Sequence, residues 1–292
     1  MQKLSHIEVS EICNQLGELA PKDISQVFGG DIHNSWQIEF KNSKFFLKRN
    51  ARSQKLLKFE ESCLINLKKY ANYENLVIPK VECYLEVNNV ELLLMEWIDM
   101  KNSDQSQLGK GLGEMHIQSN KFNPKSFGYH TEGYIGTTNQ KKGWEKNWIE
   151  CFINLRIEPQ LAILKNDFLT NDIKIKIKSK IKSKLKEHNP LNCLVHGDLW
   201  SGNIGINNIR KGVIFDPACW WADNEVDIAM TRLFGNFQNE FYEEYYRIIP
   251  RKKGYEERII IYNFYHILNH ANMFGGSYFY QVKDYIRKIM LM

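Results

Sequence analysis

The sequence predicts an α+β protein of two lobes: a small N-terminal antiparallel β lobe with one main helix (residues 1–97) and a larger, mostly helical C-terminal lobe (98–292). Three observations predict it. The first third alternates apolar and polar residues in short runs separated by turn residues. Most of the remainder carries apolar residues at helical spacing. Between them, residues 194–217 read as a loop followed by a hairpin with polar side chains at the strand ends. At 292 residues and 43% hydrophobic content, the chain can bury a sizeable core.

In order along the chain, residues 1–20 read as an amphipathic helix, and Ile24 to Phe28 as a strand leading into Gly29-Gly30-Asp31. Ser35 to Phe40 and Lys44 to Lys48 form two further strands across an Asn42-Ser43 turn. Leu56, Phe59, Cys63, Leu64 and Leu67 place a helix within 52–70. Val81–Val87 and Val90–Trp97 pair as a hairpin about Asn88-Asn89. Beyond it, Leu108, Leu112, Met115 and His116 mark a helix on whose other faces Gly109, Gly111 and Gly113 predict close packing; His116 is read as a satisfied core residue. Trp144, Trp148, Phe152 and Leu155 read as one core stripe on a helix. Residues 173–188 carry Ile173, Ile177, Ile181 and Leu185 every fourth position among seven lysines, a helix with a solvated basic face. His266 and His270 stand one turn apart without a zinc-binding pattern.

Composition narrows the function. A net charge of +5 suits attraction of phosphates but falls short of a nucleic-acid-binding signature. Six scattered cysteines without a C-x-x-C pair predict reduced thiols and no zinc or disulfide framework. The first 20 residues are interrupted by Glu8, Glu11 and Glu18, unlike a signal peptide. The apolar run Val90 to Ile98, broken by Glu91 and Glu96, is too short to span a bilayer. A soluble, cytoplasmic protein with no nucleic-acid or membrane partner is expected, as a monomer or weak dimer.

The decisive stretch is Leu194-Val195-His196-Gly197-Asp198-Leu199-Trp200-Ser201-Gly202-Asn203, followed by Phe215-Asp216-Pro217. Leu194-Val195 ends a buried strand, Ile204–Ile206 and Gly212–Phe215 form a hairpin, and Asp216 falls just beyond it. This is the order in which a phosphotransferase sets its base and its metal ligands, and it gives the bilobal, protein-kinase-like fold. Asp198 is the expected base, with Asn203 and Asp216 holding Mg²⁺ on ATP. Gly29 and Gly30, lacking a Cβ, would let the backbone approach the phosphates. Lys48, inside an apolar strand, needs a partner. That partner is expected to be Glu61 on the next helix, with Glu60 one residue off in helix phase. Leu94-Met95-Glu96-Trp97-Ile98 is the expected hinge, placing Met95, Glu96 and Ile98 at the adenine, the last two through their backbone.

The sequence resembles the fructosamine kinase, or ketosamine-3-kinase, family, a branch of the aminoglycoside-phosphotransferase and protein-kinase-like superfamily. The resemblance covers nearly the whole chain. It rests on His196-Gly197-Asp198-Leu199-Trp200-Ser201-Gly202-Asn203, Phe215 to Trp221 and Glu225 to Ala229, with lesser matches at Phe45–Lys48, Leu94–Glu96, Phe127-Gly128, Trp144 and Phe274–Gly276. It implies ATP-dependent phosphorylation of the 3-hydroxyl of a free or protein-bound ketosamine, after which the adduct decomposes and frees the amine. In that setting Trp200 is expected to stack on the sugar, His196 to buttress the loop, and Asp227 to brace it from a following helix. Some members carry a cysteine after the glycine pair and use it for redox-controlled dimerisation; Asp31 stands here, so that device is not expected. The rivals are a kinase of another small alcohol, such as an aminoglycoside, choline or methylthioribose, and a non-catalytic pseudokinase.

Overall fold

A computed structural model describes residues 3–27, 34–166, 168–235 and 237–292. Gly29, Gly30 and Asp31 lie outside the described residues. The chain opens on α1 (His6–Leu16), whose Ser5 and Glu8 form a reciprocal capping box and which stops at Gly17, φ +69°. There follow β1 (Asp23–Val27), β2 (Asn34–Glu39), β3 (Lys44–Asn50), α2 (Leu56–Lys68), β4 (Leu76–Val77), β5 (Val81–Val87) and β6 (Val90–Glu96). Five of these strands make one antiparallel sheet in the order β1-β2-β3-β6-β5. Asn88 and Asn89 both adopt positive φ, 50° and 63°, as a two-residue hairpin turn requires.

The two faces of this sheet do different jobs. On β6, Leu92 and Leu94 pack with Trp36, Ile38, Leu47 and the α1 residues Ile12 and Cys13. Leu93 and Met95 point the other way, into a core shared with Leu57, Cys63, Leu64 and Leu67 of α2. A strand buried on both faces explains the unbroken apolar run in its sequence. Lys48 is registered opposite Leu93 and therefore faces α2.

The chain then runs through β7 (Met100–Lys101), α3 (Ser106–Lys121), β8 (Phe127–Tyr129), β9 (Gly133–Ile135), β10 (Thr138–Gln140), β11 (Gly143–Glu145) and α4 (Trp148–Phe152). A π-helical turn at Ile153–Ile157 joins α4 to α5 (Glu158–Ile163), and α6 (Asn171–Leu185) precedes β12 (Asn192–Val195). A 3₁₀ turn at Ser201–Asn203 leads to β13 (Ile204–Asn207), β14 (Gly212–Ile214), β15 (Trp220–Asp223), α7 (Glu225–Met230), α8 (Asn239–Ile248), α9 (Tyr255–Phe274) and α10 (Tyr278–Leu291). Two small sheets position the site, β4-β14-β13-β7 and β11-β8-β15-β12. The first of them ties the lobes together, because β4 comes from the N-terminal segment and pairs in parallel with β14. The inner side chains of α2 also share one core with Trp220, Ile177 and Tyr262 of the helical region.

Trp144 does not share a helix with Trp148, Phe152 and Leu155. It lies on β11 and is 42% exposed, whereas the other three are buried. The six cysteines are free and buried. Among the described residues no helix is long and apolar enough to cross a membrane.

The glycines of α3 do mark close approaches. A Cβ at Gly109 would lie 2.1 Å from the Phe241 carbonyl oxygen on α8, and one at Gly111 would lie 2.6 Å from Leu76 Cβ. Gly109→Ala is expected to cost about 1–3 kcal/mol through overpacking, outweighing the gain of up to about 1 kcal/mol in helix propensity. Urea unfolding measures it, and a variant as stable as the native chain would contradict this packing.

Candidate active site

The site is built where β12 runs out. After Val195 the chain turns through Gly197 at φ +84°, where a Cβ would sit 2.2 Å from the Ala218 carbonyl oxygen, so only glycine fits. Asp227 on α7 fixes this turn. Its Oδ2 accepts from the His196 amide and its Oδ1 from the Gly197 amide, each at 2.8 Å. Asp227 also faces His116 Nε2 at 3.1 Å, and His116 Nδ1 meets the Tyr245 hydroxyl at 2.9 Å. Burial alone would raise the Asp227 carboxyl, but the His116 contact and the amides hold it below the usual range. His116 is thus a satisfied core residue, and Asp227 braces the loop as the sequence predicts.

His196 is fully buried, with Nε2 2.9 Å from the Phe215 carbonyl and Nδ1 3.3 Å from the Asp198 amide. A carbonyl can only accept, so Nε2 carries the hydrogen and Nδ1 accepts from Asp198. Burial lowers its pKa, leaving a neutral ring that links the loop to the end of β14.

Asp198 is presented into a cavity of about 640 Å³. Burial, then the neighbouring Asp216, pushes its carboxyl up to about 7. Asn203 Nδ2 donates to the Asp198 carbonyl at 2.8 Å and to its carboxylate at 3.3 Å. The backbone carbonyl of Asn203 accepts from the Phe215 amide at 3.1 Å, so its side-chain Oδ1 is the atom left for a cation. Asp216 adopts φ +59°, a conformation uncommon outside glycine and costing of order 1 kcal/mol or more.

Lys48 reaches this carboxylate from the small lobe. Its Nζ pairs with Asp216 and, at 2.7 Å, with Glu60 Oε1. Burial works to lower the Lys48 pKa, but Asp216 and Glu60 outweigh it and keep the ammonium charged. Burial raises the Glu60 carboxyl, with Lys48 working against it. The expected partner Glu61 is displaced: it pairs with Lys58 at 2.6 Å on the outer side of α2. Glu60 stands three residues beyond the buried Leu57 and four before the buried Leu64, which places it on the inner face. That spacing was the signal available in the sequence.

Matches with known proteins identify the family. The fructosamine kinase family profile matches residues 5–292. The chain belongs to the fructosamine kinase family. It is 38% identical over 267 residues to the ketoamine kinase assigned in Vibrio parahaemolyticus, covering 90% of each chain. It is 32% identical over 279 residues to the chloroplastic protein-ribulosamine 3-kinase of Oryza sativa subsp. japonica, covering 91% of this chain and 79% of that one. The crystal structure of the protein assigned as a fructosamine-3-kinase in Haemophilus somnus superposes with a TM-score of 0.84 at 26% identity, covering 97% and 96% of the two chains. At 14% identity a thermostable mutant of the aminoglycoside phosphotransferase APH(4)-Ia, in a ternary complex with AMP-PNP and hygromycin B, shares the fold, with a TM-score of 0.64 and 96% of each chain covered.

In this family member, Lys48, Glu60, Asp198, Trp200, Asn203 and Asp216 all line one cavity. Met95, Glu96 and Ile98 are not in its wall. Met95 is turned into the α2 core, and the Glu96 amide already donates to Lys80 O at 2.9 Å, so only its carbonyl could meet a base. The cavity also has an aromatic side on which the sequence marks Trp200 as a sugar contact but not Phe234, His270 or Tyr278. Trp200 meets Phe234 edge-on at 6.3 Å, and Phe234 touches His270 at 4.5 Å; Tyr278 lies 5.2 Å from His270 and 6.1 Å from Phe274. The Trp-Ser-Gly segment has a local explanation. A Cβ at Gly202 would sit 2.4 Å from the Trp200 ring, and Ser201 Oγ donates to the Phe234 carbonyl at 2.9 Å. Glycine lets the indole lie back across the turn, and serine ties the turn to the wall.

Two outcomes follow from these contacts. Glu60→Gln should lower kcat/KM for MgATP about tenfold or more, a loss of about 1.4 kcal/mol, while Glu61→Gln stays within about twofold. Equal effects in steady-state assays would contradict the pairing. In the nucleotide-free protein, folded Asp198 holds its proton more tightly than the unfolded chain does. Its contribution to stability is therefore fully present below the ordinary aspartate range and is lost as pH rises through about 7. Asp198→Asn should flatten that part of the stability–pH curve in denaturant titrations; an unchanged curve would contradict the assignment.

Proposed function

We propose that this protein transfers the γ-phosphoryl group of ATP to the 3-hydroxyl of a ketosamine. The observation that carries the reading is one cavity lined by Lys48, Glu60, Asp198, Asn203 and Asp216 together with the aromatic side chains of Trp200, Phe234 and Tyr278. Lys48, held by Glu60, orients the phosphates. Asp198 accepts the hydroxyl proton as the sugar oxygen bonds to phosphorus and the bond from phosphorus to the bridging oxygen breaks, releasing ADP. Asp227 and His196 hold Asp198 in place and touch no substrate. Trp200 offers a flat apolar face to the C–H face of the sugar.

The donor set also fits Mg²⁺. The Asn203 side-chain Oδ1 and the Asp216 carboxylate are hard oxygen ligands of the kind that ion takes together with substrate phosphates. When bound there, the ion would neutralise charge on the phosphate oxygens.

The direct test is ADP release with MgATP and ribulosamine, erythrulosamine or fructosamine adducts of lysine, beside an aminoglycoside, choline and methylthioribose. Turnover confined to ketosamines is expected. Turnover of another alcohol in preference to all three adducts would replace the reading with a general small-alcohol kinase. Trp200→Ala should raise the ketosamine KM several-fold or lower kcat, consistent with a stacking contact of about 1 kcal/mol, and leave the KM for ATP little changed. Unaltered ketosamine kinetics in the folded variant would return Trp200 to a packing role.

A further inference from the structure

Helix α2 carries Glu60, yet nothing in its own first turn caps it. Its N-cap is Lys55, which makes no side-chain capping bond, and its first turn contains no acidic residue. The cap comes from elsewhere. Glu91, on β6 and only 1% exposed, accepts from the Lys58 amide at 3.0 Å through Oε1 and from the Leu57 amide at 3.3 Å through Oε2. The same carboxylate accepts from Asn50 Nδ2 at 2.7 Å, and it lies 2.8 Å from the Tyr84 hydroxyl, whose one hydrogen is shared with Glu86 Oε1 at 2.8 Å. Asn50 from β3 and two amides from α2 thus converge on a single side chain, beside the shared Tyr84 hydroxyl of β5.

The placement matters because of what stands beside it. Asn50 is two residues from Lys48 along β3, and Leu57 is three residues from Glu60 along α2. Asn50 and Glu91 are cross-strand partners, as are Lys48 and Leu93. The Glu91 carboxylate therefore links the strand that carries Lys48 to the helix that carries Glu60, next to their 2.7 Å contact. A carboxylate at a helix N-terminus is also favoured by the helix dipole. Elsewhere on α2, Lys55 pairs with Glu86 and Lys58 lies over the Tyr84 ring at 4.5 Å, but both contacts involve exposed lysines. The buried anchor is Glu91.

We propose that Glu91 is a positioning residue for phosphotransfer: it sets the axial position of α2 and so holds Glu60 against Lys48. This rests on the reading that Lys48 acts on the nucleotide phosphates. Glutamine at 91 offers one acceptor oxygen and turns an amide NH₂ toward groups that are themselves donors, so at least one helix amide loses its partner.

The test is a double-variant cycle on the full chain with Glu91→Gln, Glu60→Gln and both together. Glu91→Gln should lower kcat/KM for MgATP about tenfold and weaken MgATP binding by calorimetry several-fold, with the ketosamine KM unchanged within about twofold. The double variant should be no more than about twofold worse than Glu60→Gln alone, because both act through Lys48. Glu91→Asp, which keeps the charge but shortens its reach, should show the same split and serves if the glutamine variant is poorly folded. Multiplied losses in the double variant would overturn the proposal. So would a lowered melting temperature with unaltered MgATP parameters. If the native protein phosphorylates no ketosamine, the substrate reading fails while the MgATP calorimetry still decides the role of Glu91.

Discussion

A buried ammonium organises this molecule. Lys48 is 4% exposed, and an unpaired charge at such a place would cost several kcal/mol. It is tolerated because two carboxylates from separate parts of the chain converge on it, Glu60 from α2 and Asp216 from the turn after β14. The small-lobe sheet, its helix and the catalytic hairpin are thereby held in one arrangement before any nucleotide arrives. Asp216, which makes one of these contacts, adopts a backbone conformation uncommon outside glycine.

The carboxylates at the site show how environment assigns role. Asp227 is the more deeply buried, yet two backbone amides and His116 favour its charged form, and it serves as a fixed brace. Asp198 is partly open to the cavity, faces the like charge of Asp216 and has fewer donors, so its proton affinity rises toward neutrality. Two residues of the same chemical type thus separate into one held as an anion and one whose proton affinity is raised. Neutral His196 connects them without adding charge.

Much of this was legible in the sequence, and the exceptions have physical reasons. Asp198, Asn203 and Asp216 sit in a contiguous loop–hairpin, so local spacing alone brings them together. Lys48 was legible because a lysine in an apolar strand demands a partner. The sequence points to Glu61 as the partner of Lys48 with Glu60 as its neighbour in phase, and the structure has Glu60, because adjacent helical residues differ by about 100° in direction and only the positions of Leu57 and Leu64 settle which faces inward. Trp144 fits the helical stripe by spacing alone, yet it and its neighbour Gly143, at φ +148°, belong to β11. The wall formed by Trp200, Phe234, His270 and Tyr278 is assembled from segments far apart in the chain, and no local period links them. The same holds for Glu91, whose capping of α2 crosses from strand to helix and reads in sequence merely as an interruption of an apolar run.

In the proposed reaction Asp198 takes the proton of one particular hydroxyl, the 3-hydroxyl of a ketosamine seated against Trp200. The position of the transferred phosphoryl group reports which hydroxyl reacted. Phosphorus–proton correlation NMR of the product made from MgATP and a lysine fructosamine or ribulosamine should show the new phosphorus coupled to the proton on carbon 3. Coupling to any other carbon-bound proton, or the absence of a phosphorylated ketosamine, would contradict the account.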